Sequence, residues 1–199
     1  MKEGKLLMTA QLGNIVKYKK EAYTIIQNSN IQPFHPEKIG LKLSNDSNSC
    51  CWDGYISEYA INEDKKIILE NLFIDLKSRS IKINGVNPIN TADVFGKTVE
   101  AIDRYGEKVI LHNITDKPRL YYKNVDMFID YTGEIIIGKN CVHIPFTFEG
   151  IVDIGQYKIV YKLVFNNGIL VDVFDMCEES ALNRENLLEL AECFTRIRR

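Results

Sequence analysis

A chain of 199 residues with a net charge of −2 and a pI near 6.0 has the size of one domain and no basic excess with which to neutralise phosphate, which argues against nucleic-acid binding. Hydrophobic residues at 45% and charged residues at 26% are ordinary globular proportions, which exclude a disordered chain and permit a core without metal or disulfide staples. No run approaches the ~20 apolar residues of a membrane-spanning helix.

Cys50, Cys51, Cys141, Cys177 and Cys193 form an odd set without framework spacing, and the N-terminal apolar run is shorter than a secretory core. Both features place the chain in a reducing cytoplasm with free thiols.

In chain order, the first signal is a hairpin. Asn14 to Tyr18 and Ala22 to Gln27 are rich in β-branched and aromatic residues, and Lys19-Lys20-Glu21 forms a polar turn between them. A polar stretch containing Pro33 and Pro36 follows, ending in Asn45-Asp46-Ser47-Asn48-Ser49, which reads as a loop. Tyr55, Ser57, Tyr59 and Ile61 then share one strand face, opposite Ile56, Glu58 and Ala60. Asn62 to Lys65 turns the chain. The returning strand, residues 66–76, has Ile67, Leu69 and Phe73 on one face and Ile68, Leu72 and Ile74 on the other, so it is expected to be covered on both sides. Asn84-Gly85 marks another turn.

Residues 91–105 fit two patterns. Phe95, Val99 and Ile102 follow helical spacing, and Thr91 suits a cap. The rival is a strand from Thr98 to Asp103 that turns at Tyr105-Gly106 into Val109–Ile114. The spacing favours a short helix. A third hairpin is predicted over Leu120 to Ile137, with Val125, Met127, Ile129 and Tyr131 alternating against Asp126, Phe128 and Asp130, and Thr132-Gly133 as its turn. A fourth joins Tyr157–Phe165 to Ile169–Phe174 through Asn166-Asn167-Gly168, the strongest hairpin mark in the chain.

The period then changes from two to between three and four. Leu187, Leu190, Ala191, Phe194 and Ile197 form one apolar stripe, so residues 181–198 are predicted as an amphipathic helix capped by Ser180 or Asn183, with the stripe on the β-structure. The expected fold is mainly β, one domain over residues 1–199. It is an antiparallel, hairpin-built barrel or two-layer sandwich of about eight to ten strands, with a C-terminal amphipathic α-helix.

Signals for chemistry are sparse. Cys141 and His143 would share a strand face, but two ligands fall short of a zinc site, and no other motif implies a metal or cofactor. No nucleophile elbow, phosphate loop or His-Glu-x-x-His sequence occurs. Acid pairs such as Asp126 with Asp130, or Asp172 with Glu70, are what any chain of 27 acids offers. Cys50-Cys51-Trp52-Asp53-Gly54-Tyr55 gathers two thiols and the only tryptophan at a strand entry, where Trp52 either rims a ligand site or packs over the end of the core. Trp52, Tyr55, Tyr121 and Tyr122 are the candidate ligand- or partner-binding residues, because tyrosine and tryptophan join an apolar body to a polar tip.

Four runs carry a resemblance: Trp52-x-Gly-Tyr55-x-x-x-Tyr59-x-Ile61, Ile83-Asn-Gly-Val86, Asp130-Tyr-Thr-Gly133-x-Ile-Ile-Ile-Gly138 and Leu163-x-Phe165-x-Asn-Gly168-x-Leu170-Val171. Together they resemble small uncharacterised bacterial β-rich proteins, some of which sit beside toxin genes and are regarded as immunity proteins. The resemblance implies a non-catalytic protein that binds a protein partner, and it transfers no catalytic position. A small-molecule-binding barrel, with Trp52 at its mouth, and an enzyme using dispersed carboxylates or Cys141 with His143 are the alternatives.

Overall fold

The computed structural model describes residues 13–28, 32–44, 54–76, 81–91, 98–102, 108–112, 120–142, 144 and 153–197. Among the described residues, twelve strands, β1 Ile15–Tyr18, β2 Glu21–Asn28, β3 Tyr55–Ile61, β4 Ile67–Ile74, β5 Ile89–Asn90, β6 Thr98–Ile102, β7 Lys108–His112, β8 Leu120–Tyr122, β9 Met127–Phe128, β10 Gly133–Cys141, β11 Tyr157–Asn166 and β12 Ile169–Asp175, precede a C-terminal α-helix, α1, Cys177–Ile197. Ten strands form one sheet in the order β12-β11-β10-β2-β1-β3-β4-β8-β5, with β9 on β4 beside β8. β6 and β7 pair separately.

The mainly β class with a C-terminal helix is thus as the periodicity predicts. The sheet is mixed rather than purely antiparallel, since β1 and β3 run parallel, and it does not close into a barrel. It curls instead. The β11–β12 turn meets the start of β4 through an isolated Lys66–Ile169 bridge and through Ile67 N–H to Gly168 C=O at 2.9 Å.

Turn chemistry explains the hairpins. Asn167 and Gly168 have φ of 48° and 75°, as the two-residue turn matching strand twist requires. Lys19 and Lys20 make the corresponding turn between β1 and β2 with φ of 50° and 67°. Non-glycine residues there carry left-handed strain, so Lys20→Gly is expected to stabilise the fold by about 0.5–1 kcal/mol, read as a higher urea midpoint.

Three bulges set which side chains enter the core. Opposite β3, Glu58 pairs with Asn71 but Tyr59 pairs with Leu69, so Glu70 is an extra residue. Register shifts likewise leave Ile26 extra on β2 and Val171 extra on β12. A one-residue insertion reverses the alternation beyond it. Ile67, Leu69, Leu72 and Ile74 are therefore all buried in one core, while Ile68 and Phe73 lie on the other face. This corrects the predicted division of β4, which assumed unbroken period two. The core lies within the curl, where Val16, Tyr59, Ile135, Ile137, Leu163 and Phe165 meet. Residues 32–44, with a 3-10 turn at Pro36–Ile39, add Phe34 and Leu41 to it.

Two predicted elements change. Within the predicted 91–105 helix, Thr91 is helical and residues 92–97 and 103–105 lie outside the described residues, while Thr98–Ile102 is a strand paired with Lys108–His112, so the β rival describes residues 98–102. The β-branched Thr98, Val99 and Ile102 favour that outcome. The predicted Leu120–Ile137 hairpin is absent as well. Both edges of β10 are occupied, by β2 and β11, while β8 and β9 pair along β4. Asn124 and Asp126, with φ of 54° and 48°, break the line between β8 and β9. Gly133 begins β10 rather than turning a hairpin. The predicted alternation survives, with Val125, Ile129 and Tyr131 buried and Asp126, Phe128 and Asp130 exposed.

The helix starts at Cys177 rather than at 181 because Asp175 Oδ1 accepts the Cys177 N–H at 2.9 Å. Ser180, predicted as a cap, is instead buried in the first turn and donates to the Ile154 carbonyl at 2.9 Å and to that of Tyr157. Arg184 Nε donates to Gly155 C=O at 2.9 Å and Nη2 to Tyr157 C=O at 2.6 Å. The helix is thus docked by polar side chains on the carbonyls around the 3-10 turn Ile154–Gln156, with buried Ala191 farther along.

The dock divides the predicted stripe: Ala191 is buried and Leu187 half-buried, while Leu190 is turned outward. Leu190 lies about 100° round the helix from Ala191 and is 56% exposed. The side chains of Phe194 and Ile197 fall outside the described part of the chain.

Candidate functional site

The four predicted aromatic residues do not converge. Trp52 lies outside the described residues, as do Cys50, Cys51 and His143. Tyr55 is buried edge-on to Phe34, its hydroxyl donating to Gln32 Oε1 at 3.0 Å and Phe34 C=O at 3.1 Å. Tyr121 and Tyr122 are neighbours on β8 and therefore point to opposite faces. Tyr122 belongs to the core, with its hydroxyl on Ile81 C=O at 2.8 Å. Tyr121 lies on the outer face, stacked on Phe73 with centroids 4.4 Å apart.

Around Tyr121 the outer face carries a cluster that strand alternation does not predict. The bulge at Glu70 sets that carboxylate beside Asn71. Asn71 Nδ2 donates to Glu58 Oε2 at 2.7 Å and reaches Glu70 Oε2 at 3.5 Å, while its Oδ1 accepts Asn124 N–H at 2.9 Å. Lys17 Nζ pairs with Glu70. Burial, then Glu58 and Glu70, push the Tyr121 hydroxyl up to about 12, so it remains a neutral donor at physiological pH. The arrangement orients two carboxylates with a fixed amide and a lysine and leaves an aromatic pair alongside, a surface suited to cationic side chains.

The acids weighed as chance pairs are exposed or engaged elsewhere. Glu70 engages Lys17 and Asn71, Asp172 accepts its neighbour's Val173 N–H at 2.8 Å, and Asp126 and Asp130 are exposed. Burial and Asp175 raise the Cys177 thiol, the reverse of what a reactive thiolate needs. Among the described residues no three His, Cys, Asp or Glu side chains gather as a metal site, and no helix is long and apolar enough to cross a membrane.

Several tyrosines share one titration signature. Burial pushes Tyr23 to about 12, as it does Tyr121, and raises Tyr59 and Tyr122. Below about pH 10 these groups are protonated in both folded and unfolded chains; above it the unfolded chain loses protons that the folded one keeps. Stability is therefore expected to fall as pH rises from about 10 to 12. Urea unfolding at about pH 8 and pH 11 tests this, and equal midpoints contradict it.

A second group of exposed side chains comes from the β12–α1 segment. Of the eight exposed large hydrophobic side chains among the described residues, Val171, Phe174, Leu182, Leu188 and Leu190 come from this segment. Exposed Glu178, Glu179, Glu185, Glu189 and Glu192 share the helix. The sequence signal was present in Leu182 and Leu188, which fall off the predicted stripe. Compared with known proteins, the chain matches no family model, no curated protein and no solved structure.

Proposed function

We propose that this chain is a non-catalytic protein-binding protein whose partner docks on β12 and α1, and that an immunity-type inhibitor of a toxin is the form of that role. The observation that carries the reading is that five of the eight exposed large hydrophobic side chains among the described residues, Val171, Phe174, Leu182, Leu188 and Leu190, fall between residues 171 and 190, since exposed apolar side chains are what a docking partner covers. The helix carries five glutamates against two arginines, and Arg184 is engaged in the dock. The complementary partner surface is therefore apolar and cationic.

The partner does not add a strand along β12. The bulge at Val171 interrupts that edge, and Asp172 Oδ1 accepts the Val173 N–H, two devices that protect sheet edges. Recognition rests on side chains.

Affinity capture from host lysate tests the reading, using the tagged full chain beside a Leu182→Glu/Leu190→Glu variant. Both substitutions are at exposed positions and are expected to leave folding intact. A partner retained by the unaltered chain and lost from the variant supports the proposal. No specific partner, or one held equally by both chains, overturns it.

A further inference from the structure

The chain carries two Asn-Gly pairs, Asn84-Gly85 and Asn167-Gly168, and both are left-handed turns, with φ of 47° and 82° in the first and 48° and 75° in the second. Asn-Gly is a pair in which a chain readily attacks itself. Asparagine is thermolabile, and a glycine nitrogen has no side chain beside it to keep it from the preceding amide carbon. The fold treats the two pairs differently. Gly168 N–H is held by Tyr131 C=O at 2.8 Å, Gly168 C=O by Ile67 N–H at 2.9 Å, and Asn167 N–H by Thr132 Oγ1 at 2.9 Å. Bringing Gly168 N onto the Asn167 side chain therefore means parting the curled sheet. Asn84 and Gly85 are exposed, and nothing lies within 4 Å of where a Gly85 β-carbon would be. Their turn is closed by one isolated bridge, Ile83–Val86. Exposed turns of this kind open at low cost.

Conversion of Asn84 would end a contact that the fold uses. Asn84 Nδ2 donates to Val125 C=O at 2.8 Å and reaches Asp126 C=O at 3.4 Å, tying the turn to the segment between β8 and β9. Val125 is buried in the core. The same segment is held by β4, with Asn124 N–H on Asn71 Oδ1 at 2.9 Å and Val125 N–H on Glu70 C=O at 2.7 Å.

We propose that Asn84 is a self-modification site, and that its deamidation unlatches residues 124–126. Gly85 N attacks Asn84 Cγ. The new N–C bond closes an imide ring, the Cγ–Nδ2 bond breaks, and ammonia leaves carrying the Gly85 amide proton. Water then adds to one of the two imide carbonyls and opens the ring to aspartate or isoaspartate. Nothing is oxidised or reduced. Either product places a carboxylate where the amide stood. A carboxylate only accepts hydrogen bonds, so it repels the Val125 and Asp126 carbonyls that the amide held. The site is separate from the β12–α1 segment, so it stands or falls independently of the protein-binding role.

Ageing the full chain in mildly alkaline buffer, with peptide mapping by mass spectrometry, tests the chemistry. Asn84 is expected to convert at least about tenfold faster than Asn167 in the folded protein, because only its turn opens without parting the sheet. In concentrated urea the two should convert at like rates, since both are then plain Asn-Gly pairs. Conversion of Asn167 first or at an equal rate in the folded chain, or a contrast that persists in urea, overturns the proposal. Amide hydrogen exchange tests the unlatching. Asn84→Asp is expected to speed exchange at Asn124 and Val125 severalfold, and the aged, converted protein should do the same, which keeps the measurement decisive if the variant fails to fold. Exchange at those two amides equal to that of the unaltered protein in the converted chain overturns it.

Discussion

Gly168→Ala is expected to destabilise the protein by about 2–5 kcal/mol, a large share of the 5–15 kcal/mol typical of folded domains. Two effects add. The residue has φ of 75°, which costs a non-glycine residue about 1–2 kcal/mol. A β-carbon there would also lie 2.4 Å from the Ile129 carbonyl oxygen and 2.5 Å from the Phe128 ring. The first of these is backbone and cannot rotate away. Gly168 lies where the sheet curls upon itself, its N–H on Tyr131 C=O at 2.8 Å and its own C=O on Ile67 N–H. Relief of the clash must therefore loosen β4, the 129–132 segment and the β11–β12 hairpin together. Asn167→Gly is the control, since φ of 48° favours glycine and the substitution should be neutral or slightly stabilising. Urea unfolding of both variants checks the contrast, and a Gly168→Ala midpoint equal to the unaltered protein's contradicts it.

Arg184→Ala is expected to cost about 2–4 kcal/mol and to release the helix from the sheet. The guanidinium holds two backbone carbonyls, Gly155 and Tyr157, and also reaches Ser180 Oγ at 3.1 Å. Removing it leaves those carbonyls partly unsatisfied at a half-buried joint. The approach is close enough that a β-carbon on Gly155 would come within 2.8 Å of Arg184 N. Leu190→Ala should cost less than about 0.5 kcal/mol, because its side chain is mostly in water. Faster amide hydrogen exchange along the helix in Arg184→Ala, and none in Leu190→Ala, would show that polar contacts rather than the leucine stripe hold it. The opposite ordering would refute this account of the dock.

Local sequence was a good guide wherever one residue type dictates one backbone state. Asn167-Gly168 and Asn84-Gly85 form turns with both residues left-handed. Tyr55, Ser57 and Tyr59 face inward as their alternation predicts. Failures came where an element's fate depends on distant neighbours. The bulge at Glu70 leaves no mark in β4 itself, yet it sends Leu72 and Ile74 to the same side as Ile67 and Leu69. The same bulge builds the Glu58–Asn71–Glu70 cluster, so that site was equally invisible. The tyrosines were legible as strand residues, but their separation onto two faces as structural members emerged only from the ladder.

By itself, the sequence determined the alternating strands, the left-handed turns, the C-terminal helix and the absence of catalytic motifs, because each follows from the preferences of a few adjacent residues. Tertiary structure alone decided the parallel β1–β3 pairing, the placement of β10 between β2 and β11, the three bulges and the helix face turned to the sheet. The reason is that backbone hydrogen bonds and buried hydroxyls must find partners across the whole chain, and that requirement outweighs local periodicity wherever the two conflict.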